Sequence, residues 1–293
     1  MADLLKGNNK LLNAWAFYDW ANSVYSLVIS SAVFPIFYEA LFSERSHYIS
    51  VFGFSLKNSA LISFVTAFAF LVVAFISPIL SGISDYVGNK KSFMKFFCYL
   101  GALSCIGLYW FSLENIFLSL LFYFLGLVGF WGSWVFYNSY LPDIAFPEQQ
   151  DAISAKGFSY GYVGSVILLI VNLAMIMMPD IFGISGSKGE AAMKAMRYSF
   201  VMVGIWWILF SQYTYYYLPK GNKIVAANLK KHILFNGFKE LKKVWFLLAE
   251  NNALKKYLAS FFVYSMAVQT VMLIATYFGA QEIQWASQSE STT

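Results

Sequence analysis

Charge is what this sequence lacks. Asp, Glu, Lys and Arg make up 12% of its 293 residues, where soluble domains carry about 25%. So few charges cannot cover a water-facing surface, which excludes an ordinary soluble globule. Histidine is almost missing too. His47 and His232 fall in different connections between apolar runs, so they assemble neither a metal cluster nor a His-based catalytic pair. The only cysteines, Cys98 and Cys105, lie on one expected helix with Cα atoms about 10 Å apart, beyond disulfide reach. Phosphate-binding glycine loops, nucleophile elbows and paired catalytic carboxylates are absent as well. The sequence therefore reads as a non-enzyme, with no catalytic residue, cofactor or metal to assign. The enzymatic alternative, a membrane-embedded lipid-modifying enzyme, would need a His/Asp or carboxylate pair at one interface.

What is abundant is apolar: 59% of residues, with 30 Phe and 20 Tyr. The few charges are bunched, leaving uncharged runs at 58–82, 96–113, 115–141, 157–179, 198–218 and 257–281. A seventh run, 14–38, contains only Asp19. About 18 to 20 apolar residues cross a bilayer core, and in hydrocarbon each backbone amide must be paired within its segment, so these runs predict membrane-spanning helices. They are too long and unbroken for the alternating strands of a β-barrel. Lys6 and Lys10 precede an apolar run too long and aromatic for a cleaved signal peptide. With the N-terminus inside, inner segments hold Lys6, Lys10, Lys90, Lys91, Lys95, Lys156 and nine lysines between Lys220 and Lys256. Outer segments hold Arg45, Lys57, Lys188, Lys194 and Arg197. The positive-inside rule then predicts a cytoplasmic N-terminus. The net charge of +5 reflects this asymmetry and gives no support for nucleic-acid binding; the expected partner is the lipid bilayer.

Three regions are expected: a six-helix transmembrane half over 1–218, a basic amphipathic cytoplasmic linker over 219–256, and the first helix of a second half over 257–293. In the linker Leu234, Phe238, Leu241, Trp245 and Leu248 recur at helical spacing with lysines on other faces. Such a stretch lies along the membrane surface or forms a solvated linker helix; both readings stand. Six spans, a basic linker and one further span outline a carrier built from two six-helix halves. The second half is expected to be truncated after its first helix, leaving the missing C-terminal half as a partner. A non-transporting membrane fragment is the rival reading.

Several segments carry a resemblance. The loop after the second span reads Ser81-Gly82-Ile83-Ser84-Asp85-Tyr86-Val87-Gly88-Asn89-Lys90-Lys91. It resembles the inner-loop signature of the major facilitator superfamily, with Ser81 and Asn89 standing where that pattern has Gly and a basic residue. Physically, Asp85 can accept from a neighbouring helix N-terminus, Gly88 permits a tight turn, and Lys90 and Lys91 anchor the loop. Further segments are Trp15 to Ser23 with Phe34-Pro35, Phe136 to Ile144, and Ser154 to Gly164 with Asn172-Leu173. Together they are similar to the vacuole-effluxer branch of the major facilitator superfamily, whose fungal members export amino acids in autophagy and whose bacterial members are mostly of unassigned substrate. The resemblance implies an all-α helical bundle in a bacterial inner membrane and a secondary carrier working by alternating access, with amino acids as the expected solute class.

The first span is the expected site. Trp15, Asp19, Asn22 and Ser26 recur at helical spacing and share a face, which Tyr18 and Tyr25 overlap. A carboxylate at mid-bilayer costs about 2.5–3.5 kcal/mol, so Asp19 should face a cavity or a partner. Against this, the run from Ala14 to Phe42 would be about 43 Å long, which also allows Asp19 to sit at the headgroup level. Asn138, Tyr160 and Asn172 are further candidates, with helix cross-linking as their other reading. Gly157, Gly161 and Gly164 are spaced for close helix approach. No span contains Lys or Arg, which speaks against a phosphate or sulfate carrier and for a neutral or zwitterionic solute.

Overall fold

The computed structural model describes residues 5–42, 48–51, 53–219, 242, 245–248 and 250–282. His47, His232 and most of the basic linker lie outside them, as does the tail after 282. Among the described residues seven helices are long and apolar enough to cross a membrane. They are α1 (Asn9–Ala40), α2 (Asn58–Val87), α3 (Lys90–Gly107), α4 (Ile116–Ser139), α5 (Pro147–Met177), α6 (Lys188–Tyr217) and α7 (Asn252–Glu282). The all-α expectation holds. The only sheet among the described residues is a hairpin of β1 (Tyr48–Val51) and β2 (Phe54–Lys57) between α1 and α2, in the register Tyr48↔Lys57.

Local sequence explains the helix ends. Asn8 caps α1 by accepting from Lys10 N at 2.9 Å. Gly88 closes α2 in the left-handed conformation, φ 67°, which a residue without Cβ adopts freely. Pro147 opens α5, where its missing N–H is harmless. Ser187 and Glu190 form a reciprocal capping box at the start of α6.

Helix α1 is not uniformly wound. Tyr25–Ala32 forms π turns, whose wider rungs release strict α pairing. Pro35 follows within the last α turns of this helix. It has no N–H for the carbonyl four residues back, that of Ser31. Thr276 of α7 takes it up instead, donating through Oγ1 to Ser31 O at 2.6 Å. In lipid an unmet carbonyl is expensive, so this contact docks α7 on α1.

The bundle is organised by α1, which packs along α5, α6 and α7, while α3 packs along α4 and α6, and α2 rests on α4. Helices α3 and α4 approach closely at Gly101 and Gly129. A Cβ on Gly129 would meet the backbone N and Cα of Gly101 well inside van der Waals contact. The expected glycine stripe on α5 lies against α1: Gly157 faces Asp19, Gly161 faces Ser23 and Gly164 faces Trp20. Phe64, Phe68, Leu71 and Phe75 of α2 point outward, as side chains bathed in lipid would. Cys98 and Cys105 are buried free thiols.

Basic residues gather at one end of the bundle. Lys90 pairs with Asp143 at 2.8 Å and donates to Ser139 O at 3.1 Å, while Lys91, buried, donates to Leu218 O at 2.6 Å. Lys6 donates to Pro142 O at 2.6 Å. Three ammonium groups thus cap carbonyls at or just beyond the ends of α4 and α6, where helix dipoles favour positive charge.

Candidate functional site

A cavity of about 290 Å³ opens beside α1, walled also by α4, α5 and α7. From α1 it is lined by Asp19, Asn22, Ser23, Ser26, Leu27 and Ser31. Phe130, Trp131 and Trp134 of α4 form an aromatic wall. Phe158, Gly161, Tyr162 and Ser165 come from α5, and Gln269 and Met272 from α7. Among the described residues, neither Lys nor Arg lines it. The carboxylate of Asp19 therefore meets hydroxyls, amides and rings on this wall, with no cation among them.

One hydrogen bond and one close glycine fix Asp19. Its side chain is 5% exposed, and Oδ2 accepts from Tyr137 Oη at 3.0 Å. Tyr137 is in turn held by Trp15, whose ring stacks on it at 4.4 Å between centroids. The Trp15 Nε1 donates to Tyr137 O at 2.9 Å. Behind the carboxylate lies Gly157, where a Cβ would stand 2.6 Å from Oδ2. The missing side chain is what admits the carboxylate between α1 and α5. Hydrogen bonds to charged groups contribute about 1.5–3 kcal/mol. Tyr137→Phe keeps the stack and loses only this bond; we expect it to weaken binding of a solute held by Asp19 by about tenfold, read by titration of the purified protein, with the fold unchanged by circular dichroism.

The sequence candidates separate into two groups. Asp19, Asn22 and Ser26 line the cavity, and Asn22 is 1% exposed with Nδ2 unpartnered among the described residues. Trp15 stands behind Tyr137 instead of on the wall. Tyr18 and Tyr25 turn into the bundle: Tyr18 lies 5.0 Å from the Tyr137 ring and Tyr25 stacks on Phe130 at 4.9 Å. Tyr160 packs edge-on against Phe17 at 6.2 Å, Asn138 is exposed at the end of α4, and Asn172 is buried in α5 with neither amide atom partnered among the described residues. Of the loop motif, Gly88 makes the turn that closes α2 and Lys90 and Lys91 have the contacts given above, while the Asp85 side chain lies outside those described. Sequence reasoning missed Ser23, Ser31, Trp131, Trp134, Ser165, Gln269 and Met272. Ser23 ends the Trp15 to Ser23 segment and Ser165 stands one turn beyond Gly161 of the glycine stripe; the others left no trace.

A polytopic helical bundle with a polar cavity among its membrane spans defines the class, and comparison with known proteins gives the family. The family model of vacuole effluxer Atg22 like proteins matches residues 7–151 and 145–293. The chain belongs to this family, a branch of the major facilitator superfamily, and is a multi-pass integral membrane protein. It is 32% identical over 283 residues to the uncharacterized MFS-type transporter YxiO of Bacillus subtilis (strain 168), an alignment covering 94% of this chain and 62% of that one. An uncharacterized protein of Aquifex aeolicus (strain VF5) is 29% identical over 175 residues, covering 59% of this chain and 41% of its own. The chain thus spans less than two thirds of the length of either relative. No solved structure matches it.

Proposed function

We propose that this bundle belongs to a secondary carrier working by alternating access, and that its cavity receives a small zwitterion such as a neutral amino acid. The observation that carries this reading is the Asp19 carboxylate, buried at 5% exposure on the wall of a cavity that no described lysine or arginine lines. An ammonium group brought by the solute would supply the missing cation, and amides such as those of Asn22 and Gln269 would suit its carboxylate. A multiply charged anion such as sulfate would find no cation there. About 290 Å³ matches a small solute, at the low end of ligand pockets. Trp131 and Trp134 on the wall offer a direct test. Titrating the purified chain with neutral amino acids should change tryptophan fluorescence saturably, and sulfate should not. No change with any zwitterion would remove this solute class.

The cytoplasmic N-terminus and plasma-membrane location are part of the same proposal, supported by the lysines gathered at one bundle end. Gly189 lies at the opposite end, and a Cβ added there would have nothing within 4 Å, while both native thiols are buried. Gly189→Cys should therefore react with a membrane-impermeant maleimide added to intact cells, against little background. Labelling only after the membrane is opened would invert the orientation.

A further inference from the structure

At the end of the bundle opposite Lys90 and Lys91, the connection between α5 and α6 folds over a recess that the carrier reading leaves unused. Its volume is about 550 Å³, larger than the central cavity. One side is polar: Lys194 and Tyr198 of α6 are exposed, and Tyr109 stands beside Tyr198 with ring centroids 5.7 Å apart. The other side is apolar, formed by Met175, Val201 and Met202. Lys194 donates to Ser185 O at 3.0 Å, one of three bonds an ammonium can give. Arg197, one turn on, is already engaged. It donates to Tyr109 O at 2.5 Å and lies over the Phe37 ring, so it fixes Tyr109 in place. Glu190, one turn before Lys194, accepts from Ser187 N at 3.0 Å and Ser187 Oγ at 2.9 Å, and so closes the N-terminus of α6.

The connection over the recess carries the exposed Asp180 and Ser185, yet three large apolar side chains at its start are exposed as well. Met177, Met178 and Ile181 are 74%, 55% and 76% exposed. Exposed apolar side chains at the end of a membrane span suit the membrane interface, at the depth of headgroups. We propose that the recess holds an anionic phospholipid of that leaflet, its phosphate on Lys194 and the hydroxyls of Tyr109 and Tyr198, its upper acyl chain against Met175, Val201 and Met202. A lysine near the surface attracts anionic headgroups, phenols add donors, and flexible methionines adapt to a chain. A zwitterionic headgroup brings its own ammonium towards Lys194 and is the poorer fit. Free phosphate leaves the apolar side empty.

Native mass spectrometry of the full chain in detergent tests this. Phosphatidylglycerol, phosphatidylcholine and inorganic phosphate are titrated separately, and the unfolding midpoint is followed in parallel. Phosphatidylglycerol should be retained about fivefold better than phosphatidylcholine and should raise the midpoint. Lys194→Ala should abolish that preference, Tyr198→Phe should reduce retention less, and Lys188→Ala on the same helix should leave both unchanged. Should Lys194→Ala fail to fold, Lys194→Gln takes its place with the same expected loss. Equal retention of the two lipids by the native chain, undiminished preference in the Lys194 variant, or equal stabilisation by inorganic phosphate would each overturn the assignment.

Discussion

Asp19→Asn is expected to remove solute binding almost completely while leaving the bundle intact. The amide has the size of the carboxylate and still accepts from Tyr137 Oη, now 3.0 Å from Oδ2, and the Trp15–Tyr137 stack is untouched. What disappears is the only negative charge among the described residues of the cavity wall. Truncating one partner of a buried charge pair costs about 2–5 kcal/mol, so affinity for a neutral amino acid should fall by at least about 30-fold. Uptake driven by a pH gradient, if the whole carrier is proton-coupled, should vanish with it, because Asp19 is the one described carboxylate on the wall of this cavity. The variant should unfold no sooner than the native protein, since the amide keeps the bond from Tyr137 and removes the cost of burying a carboxylate that no cation pairs. Unchanged affinity in the fluorescence titration would take Asp19 out of the site.

The largest effect on stability is expected from Gly129→Ala. The new methyl would collide with the Gly101 backbone and lie 2.8 Å from Phe97 O, so no side-chain rotation relieves it. Helices α3 and α4 would have to separate along their contact. Overpacking costs about 1–3 kcal/mol, and a clash against backbone belongs at the upper end, near 3 kcal/mol. Cys98 and Cys105 offer the readout. Both are buried free thiols on α3, so a thiol-reactive dye reports the unfolding of the helix that has been pushed away. Gly189→Ala is the control: nothing lies within 4 Å of its added carbon, and helix propensity favours it by up to about 1 kcal/mol. Equal midpoints for the two variants would show that the α3–α4 approach is looser than described.

The seven spans were legible because lipid demands long uncharged runs, and this demand leaves its mark on every segment. The Asp19, Asn22 and Ser26 face was legible for a similar reason: one α-helix carries all three, and spacing alone groups them. Trp15 obeys the same spacing yet leaves the wall, because its ring finds Tyr137 to stack on. Tyr18 and Tyr25 flank that face, and large rings at its edge turn into the bundle, where Tyr137 and Phe130 receive them. Trp131, Ser165 and Gln269 come from three other helices. Their meeting with Asp19 depends on which helices neighbour α1, and no local pattern encodes that.

Ser31 shows how winding decides membership. It lies twelve residues beyond Asp19, and at 3.6 residues per turn it would be about a third of a turn off the Asp19 face. The π rungs of Tyr25–Ala32 turn the chain less per residue, and this brings Ser31 round to the cavity, where its carbonyl also receives Thr276. The irregular stretch thus acts as a phase shifter between the two halves of α1. Losing a single residue there would let the helix tighten, swinging everything beyond it, Ser31 and the seat of α7 included, while Asp19 and its supports stayed where they are.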